Sequence, residues 1–502
     1  MVPTLLVVLL LLPPFFLLVK RIKLKSISRK IHLLPSPPRF PFIGNLHQLS
    51  SLPHRSLFEL SKKHGPLMLL QLGSIPTLVV SSPSSAREIM RTHDLVFASR
   101  PSLKASRILL YNNSDIAFAS YGDYWRQIRK ICVTNLLCLK QVQFFSHVRL
   151  EEVSLMIEKI ARIASTSNGV VCMTEILNSL TCGVLCNSVL GSSMTEERRK
   201  LLCGLIRKNT VLFVQLFFED YFPRLRWLDV LFGSEGKLRK HSQKWDSLLG
   251  EFIEEHVRRL KEGENTSSSD FIDVMLQLKN DTGTAFVLTN EQIKAILLDM
   301  IAAGTDTSFA VLDWSMVELI RNPLVMKKVQ DEVRGIAHGE ERVREEHLGK
   351  LSYLKAVIKE VLRLHPPIPL LLPRESLQDC QILEYNIPKE TRVLINAWAI
   401  GRDEVYWKEP HEFKPERFLS GDVDYKGNDF HYIPFGAGRR ICPGILFAIS
   451  IVELALANLF FRFDWKLPSG ISCESIIMDD SMGLTTTRRE KLDLVPLDVH
   501  IT

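Results

Sequence analysis

The chain has 502 residues, of which 46% are hydrophobic and 24% charged, and a net charge of +7. That is enough apolar material for a large buried core, in one big unit or two lobes, and it excludes a disordered chain. Lys20, Arg21, Lys23, Lys25, Arg29 and Lys30 supply six of the positive charges within the first thirty-four residues, which contain no acid, so the remainder carries only +1 and offers no basic face for a nucleic acid.

Residues 2–19 are apolar and uncharged. As a helix they would span about 27 Å, just enough to cross hydrocarbon, with a kink at Pro13 and Pro14. The charges follow the apolar run and no small-residue cleavage site appears, the reverse of a cleaved signal peptide. Residues 1–19 are therefore expected to be a transmembrane signal-anchor, with the rest of the chain cytosolic by the positive-inside rule. The sequons at Asn112, Asn265 and Asn280 would then be unglycosylated. Nine cysteines, an odd number without framework spacing, agree with a reducing compartment. Residues 20–45, basic and then rich in proline at Pro35, Pro37, Pro38 and Pro41, form a stiff link to a body spanning 46–502.

From His54 to His64 the pattern is helical, PLMLLQLG and TLVVSS read as strands, and Ala86 to His93 reads as a helix; together they make a small β region. Residues 98 to 120 have no clear period. In YGDYWRQIRKIC, Trp125 and Arg129 share a helical face and can clamp one anion, although a buried tryptophan on a surface helix is the blander reading. Arg126 and Lys130 project from a neighbouring face. Thr195 to Gly263 reads as two antiparallel helices over a pocket, whose apolar run VLFVQLFF is either core or the wall of a lipophilic site.

Thr289 and Gln292 form a capping box that opens a helix running to Asn322-Pro323, roughly 50 Å long. At its centre lies AAGTDTS. Ala303 and Gly304 leave a notch beside the backbone, Thr307 can bond back to the Ala303 carbonyl, and Asp306 can pass protons inward. Asp299, on the same ridge, either touches a ligand or pairs with a basic neighbour. Glu360 and Arg363 stand three apart on a helix that Pro366 and Pro367 terminate. IPLLLPRES and VLINAWAI read as strands, residues 445 to 463 as an apolar helix, and Met478 to Pro496 as a turn with a strand pair.

Between them runs FGAGRRICPG, Phe435 to Gly444, a glycine-rich loop ending on a cysteine. Pro443 suits a first helical turn, which would place the Cys442 sulfur where a positive helix end favours a thiolate, the form that binds a metal. Gly436, Gly438 and Gly444 let the backbone turn tightly or lie flat against a planar ligand, and Arg440 can reach an acidic group on it. The loop fits neither phosphate-binding pattern, and no neighbouring Cys or His completes a zinc set. A structural buried cysteine is the remaining alternative.

The pattern F-x-x-G-x-R-x-C-x-G, complete at Phe435, Gly438, Arg440, Cys442 and Gly444, closely resembles the haem-ligating signature of the cytochrome P-450 family, in its plant microsomal form. The resemblance implies a mainly α fold, with a large helical domain, a small β region and one N-terminal transmembrane helix. It further implies haem b with Cys442 as the metal ligand, and Trp125, Arg129 and Arg374 as partners of the haem propionates. Ala303 to Ser308 resembles the oxygen-activation motif, in which Thr307 and Asp306 deliver protons. Glu360 and Arg363, with Arg417 in PERF, resemble a structural Glu-Arg-Arg network, and Leu370 to Leu372 and Met482 to Thr485 resemble substrate-contact segments. The implied activity is insertion of one atom of O₂ into a small lipophilic substrate at the endoplasmic reticulum membrane, with electrons from NADPH carried by a flavoprotein reductase. A haem-thiolate isomerase or dehydratase that uses no external oxygen, or a haem sensor, are the alternatives, and Thr307 counts against the first.

Overall fold

In the strand Leu67–Leu72 the side chains alternate between two apolar clusters: Leu67 joins Leu78, Val80, Val393 and Ile395, whereas Met68, Leu70 and Leu72 join Val79 and Leu57. Period-two burial on both faces places this strand inside a small covered sheet. The computed structural model describes residues 34–166, 169–191, 195–262, 270–280 and 286–499. The expected membrane anchor, most of the link and the sequon at Asn265 lie outside those residues. Ile75–Val80 pairs antiparallel with Leu67–Leu72 across a turn at Gly73-Ser74, and parallel with Arg392–Ile395, which pairs antiparallel with Arg374–Glu375. All nine cysteines are free.

The chain is otherwise mainly helical, and one large cluster of buried apolar side chains joins the helices. Its axis is the helix Asn290–Arg321, opened by the expected capping box: Thr289 Oγ1 accepts from Gln292 N at 3.2 Å, and Gln292 Oε1 from Thr289 N at 2.9 Å. Asn290–Arg321 and Ile445–Arg462 are each apolar and long enough to cross a membrane, yet each buries 67% of its most apolar window inside the protein. Their hydrophobicity belongs to the core. The helix Met173–Leu190 packs along the long helix, and Glu196–Val214 and Ser234–Lys261 lie beside it. Between the last two, the short helices Phe218–Tyr221 and Trp227–Leu231 replace a simple loop.

Several expectations need correction. IPLLLPRES forms strand only at Arg374–Glu375, because prolines flank the preceding residues and Leu371 sits at φ 50°. VLINAWAI is strand only through Ile395; the side chain of Asn396 then accepts from Ala399 N at 3.1 Å and opens the helix Ala397–Ile400. The helix expected over Ala86 to His93 is α over Pro83–Arg87 and π over Glu88–Thr92. The tail strand Asp493–Asp498 finds its partners in Phe463–Lys466 and Val171–Cys172, not in the preceding segment.

Candidate active site

The cysteine loop is shaped by two left-handed glycines, Gly436 at φ 72° and Gly438 at φ 68°. At Gly438 a Cβ would come within 2.3 Å of the Met90 carbonyl oxygen, so any other residue is barred by sterics as well as by φ. Gly444 has an ordinary φ of −91° and is the N-cap of Ile445–Arg462. Pro443 therefore precedes the helix and is not in its first turn, contrary to expectation.

Cys442 faces a cavity holding about 1390 Å³ of empty space, its mouth included. Arg129, Arg374, Phe435, Gly436, Arg440 and Gly444 line it with Cys442, and so do Ala303, Gly304 and Thr307 from the long helix. Trp125, Asp306 and Gly438 do not. Much of the remaining wall is apolar, including Leu185, Met300, Ile368, Leu371 and Phe447. Leu370 instead packs beneath the small sheet, so of the expected trio only Leu371 and Leu372 reach the cavity. The notch at Gly304 is narrow, since a Cβ there would meet Leu185 Cδ1 at 2.7 Å.

Burial pushes the Cys442 thiol up, while the N–H of Gly444 and the charge of Arg129 pull the other way. The chain alone thus favours the thiol, and the expected thiolate requires the positive charge of a metal at the sulfur. Among the described residues, the three-member group of potential metal ligands is His256, Asp270 and Asp273, none of which lines this cavity, so Cys442 is outside that set.

Four guanidiniums share one wall: Arg100, Arg129, Arg374 and Arg440. Arg440 donates to the carbonyls of Ala98 and Ala119, both at 2.6 Å, and Arg100 to those of Leu372 at 2.7 Å and Ala117 at 2.9 Å. Arg129 donates Nη2 to Ile441 O at 2.7 Å, using one of its five N–H groups. Burial lowers all four, bringing Arg374 to about 10 and Arg440 to about 9, and mutual repulsion adds to the effect at Arg100 and Arg440. Asp299 is the acid among the described lining residues, and its carboxyl is taken up by backbone N–H groups. Asp94, 3.6 Å from Arg374, offsets one of the four charges, so the wall still carries more positive than negative charge, and a flat ligand carrying two carboxylates fits it. Trp125 Nε1 donates to Ile116 O at 2.9 Å, and its ring lies 4.1 Å from the Arg440 guanidinium.

Asp306 turns away from the cavity and accepts from the Thr210 hydroxyl on the helix Glu196–Val214. Burial raises its carboxyl to about 6, against the opposing effects of Thr210 and Arg207. Glu360 is fully buried and accepts from Arg363 Nε at 2.7 Å, Arg417 Nε at 3.0 Å and Lys414 N at 2.8 Å. Tyr432, just before the cysteine loop, donates to the carbonyl of Lys359 at 2.8 Å and so joins the loop to the Glu360 helix.

The sequence model of cytochrome P450 matches residues 34–493. The chain belongs to the cytochrome P450 family. It is 47% identical over 479 residues to cytochrome P450 71A9 of Glycine max, covering 95% of each chain. It is 45% identical to phenylacetaldehyde oxime monooxygenase of Prunus mume, covering 93% of this chain and 90% of the relative. Premnaspirodiene oxygenase of Hyoscyamus muticus is also 45% identical, with 96% and 95% covered. A zebra fish cytochrome P450 solved with abiraterone superposes with a TM-score of 0.75 at 25% identity, over 90% of this chain and all of that one. The protein is accordingly a cytochrome P450 monooxygenase, an enzyme that carries haem on a cysteine thiolate.

Arg100 was not legible as a site residue. It lies in the stretch without period, and its partners Leu372 and Pro373 are more than 250 residues away in sequence.

Proposed function

We propose that Cys442 is the haem ligand, that Arg100, Arg129, Arg374 and Arg440 neutralise the propionates, and that Thr307 with Asp306 supplies protons during oxygen transfer to a small lipophilic molecule. The observation that carries this reading is the meeting, in one apolar cavity, of the Cys442 sulfur, the Thr307 hydroxyl and four guanidiniums. When bound, the haem supplies the redox chemistry at dioxygen, with the thiolate favouring O–O cleavage.

The residues of the chain do the rest. The apolar wall excludes water and holds a lipophilic molecule by contact area. Thr307 keeps a hydroxyl at the cavity surface, and Asp306, with a carboxyl near neutrality, can take up and release a proton behind it. Electrons come from NADPH through a separate flavoprotein reductase. Its negatively charged surface docks on Arg126, Lys130 and Arg439, which stand exposed. Residues 1–19 anchor the enzyme as a single pass in the endoplasmic reticulum membrane, and 46–502 form the cytosolic catalytic domain.

Relatives at similar identity are named for unlike molecules, premnaspirodiene and phenylacetaldehyde oxime among them, so kinship does not select the substrate. Terpenoids, phenylpropanoid derivatives and amino-acid-derived oximes are the classes to screen. Candidates that shift the haem absorption band are then turned over with reductase and isotopically labelled dioxygen. The expected product carries one labelled oxygen atom. Product formed without oxygen, or with oxygen from water, would contradict this reading and favour an isomerase or dehydratase.

A further inference from the structure

The segment from Asp115 to Ala119 lies between the arginine wall and the long helix. Its carbonyls face the wall, where Ala117 O accepts from Arg100, Ala119 O from Arg440, and Ile116 O from Trp125. Its N–H groups face the helix. Ile116 N and Ala117 N donate to Asp299 Oδ2 at 3.0 and 3.1 Å, and Phe118 N to Asp115 Oδ2 at 2.6 Å. Among the described residues Asp299 has no basic hydrogen-bond partner, contrary to one of its two expected roles, and its neighbour is another acid. The Asp115 and Asp299 carboxyls are both buried, and the Ile116 and Ala117 N–H groups that hold Asp299 adjoin the Phe118 N–H that holds Asp115, so the two acids are close neighbours. Asp115 Oδ1 finds no donor among the described residues. Carboxylates only accept and like charges repel, so two of them buried as close neighbours away from water require a proton between them.

We propose that Asp115 and Asp299 share a single proton, and that the bridged pair fixes Ile116 and Ala117 in the cavity wall, making Asp299 a positioning residue for the bound small molecule. The step to ligand binding rests on the site reading above, because Ile116 and Ala117 line that cavity. Burial and the neighbouring charge raise Asp299 well above the carboxylate range, and burial raises Asp115 as well, so the pair holds a proton at neutral pH. The groups facing the pair are Arg100 and Arg440 beside Asp115, Cys132 beside Asp299, and Tyr124 near both. The one negative charge of the bridged pair offsets one of the two guanidiniums and leaves the other for a bound anion. When the proton leaves at alkaline pH, two adjacent carboxylates repel and the 115–119 segment shifts from the helix.

The test uses the holoenzyme with 1-phenylimidazole, uncharged over the range used, and follows its binding by the haem absorption shift from about pH 7 to about pH 10. Wild-type affinity is expected to be level and then to fall by up to about tenfold per pH unit once the shared proton is lost. Asp299→Leu removes acceptor and donor together and weakens binding at every pH. Asp299→Asn restores both, accepting from the two N–H groups and donating to Asp115, so it regains binding at neutral pH and shows no alkaline fall. Asp115→Asn, which also supplies a fixed N–H within the pair, loses the alkaline fall in the same way and provides a second route if Asp299→Asn does not take up haem. A wild-type-like alkaline fall in either asparagine variant, or neutral-pH binding by Asp299→Asn as weak as in Asp299→Leu, overturns the proposal. The infrared carboxylic-acid carbonyl band of the holoenzyme at about pH 9 reads the proton without any ligand: it is present in wild type and lost in Asp299→Asn, and its absence from wild type also overturns the pair. A band that is present in a protein whose haem does not respond to the probe would instead indict the site reading.

Discussion

Thr307 Oγ1 donates to the carbonyl oxygen of Ala303, one turn earlier in the long helix, at 2.7 Å. A hydroxyl held in this way stands at the cavity surface with its lone pairs turned outward, ready to accept from water. Thr307→Ala removes the hydroxyl and no metal ligand, so haem content and ligand binding should survive. Product formation with reductase should fall by about 10- to 100-fold, at or below the lower end of what a positioned proton donor contributes. NADPH consumption should continue, with hydrogen peroxide released in place of product. Thr307→Ser should restore most of the coupling. A tightly coupled Thr307→Ala enzyme would remove Thr307 from proton delivery.

Glu360 accepts from two arginines and a backbone N–H with no exposure to solvent. Removing its charge leaves Arg363, itself 1% exposed, without a counter-ion, at a cost of about 3–5 kcal/mol. Glu360→Ala is expected to lower the thermal midpoint sharply and to yield mostly haem-free protein. Glu360→Gln, which keeps the shape and an acceptor oxygen, should fall between. If Glu360→Ala gave a stable holoenzyme with only a kinetic defect, the network would belong to the chemistry and not to the scaffold.

What the sequence revealed best was what depends on short spacings. The capping box of Thr289 and Gln292, the Thr307 back-bond and the Glu360–Arg363 pair each join residues three or four apart in one helix, and all three stand in the structure. Features set by distant chain segments were not legible. Asp299 sits four residues before Ala303, and nothing local tells whether an acid there meets a base, a backbone N–H or another acid. Its partners come from a segment more than 180 positions away that has no period of its own. The same holds for Asp306, whose partner Thr210 lies 96 residues earlier. VLINAWAI has strand composition throughout, but the cap formed by Asn396 overrides propensity at its middle.

His256 joins Ser234–Lys261 to the start of Phe271–Asn280, with Nε2 2.7 Å from Asp270 and Nδ1 2.7 Å from the Phe252 carbonyl. Burial alone pushes the imidazole down, but the hydrogen bond to Asp270, its charge and the Phe252 carbonyl lift it above its ordinary value. A raised imidazole contributes its stability in full below the unfolded value of about 6.5 and loses it as pH rises through the folded value. The thermal midpoint of wild type should therefore exceed that of His256→Asn most at about pH 6, with the gap closing toward about pH 9. A gap that widens with pH would mean that the neutral imidazole is the stabilising form.

Arg126 and Lys130 are exposed on the helix Asp123–Ile131, whose Arg129 enters the cavity wall. Reversing both charges should slow reductase-driven turnover several-fold at low salt and flatten its salt dependence, because charge complementarity acts mainly on encounter. Turnover driven by peroxide, which bypasses the reductase, should be spared. Equal loss in both assays would place the defect in haem binding.

The central claim is that the sulfur of Cys442 is the bond between this chain and the iron. Its most direct test is the absorption spectrum of the reduced carbon monoxide complex in wild type and Cys442→Ser, read at matched protein concentration with haem content measured separately. Wild type is expected to show the red-shifted band that a thiolate ligand produces, and Cys442→Ser, which replaces one sulfur by oxygen in a loop otherwise unchanged, is expected to lack it. A serine variant that retains the red-shifted band at wild-type intensity would contradict the assignment and with it the whole reading of the cavity.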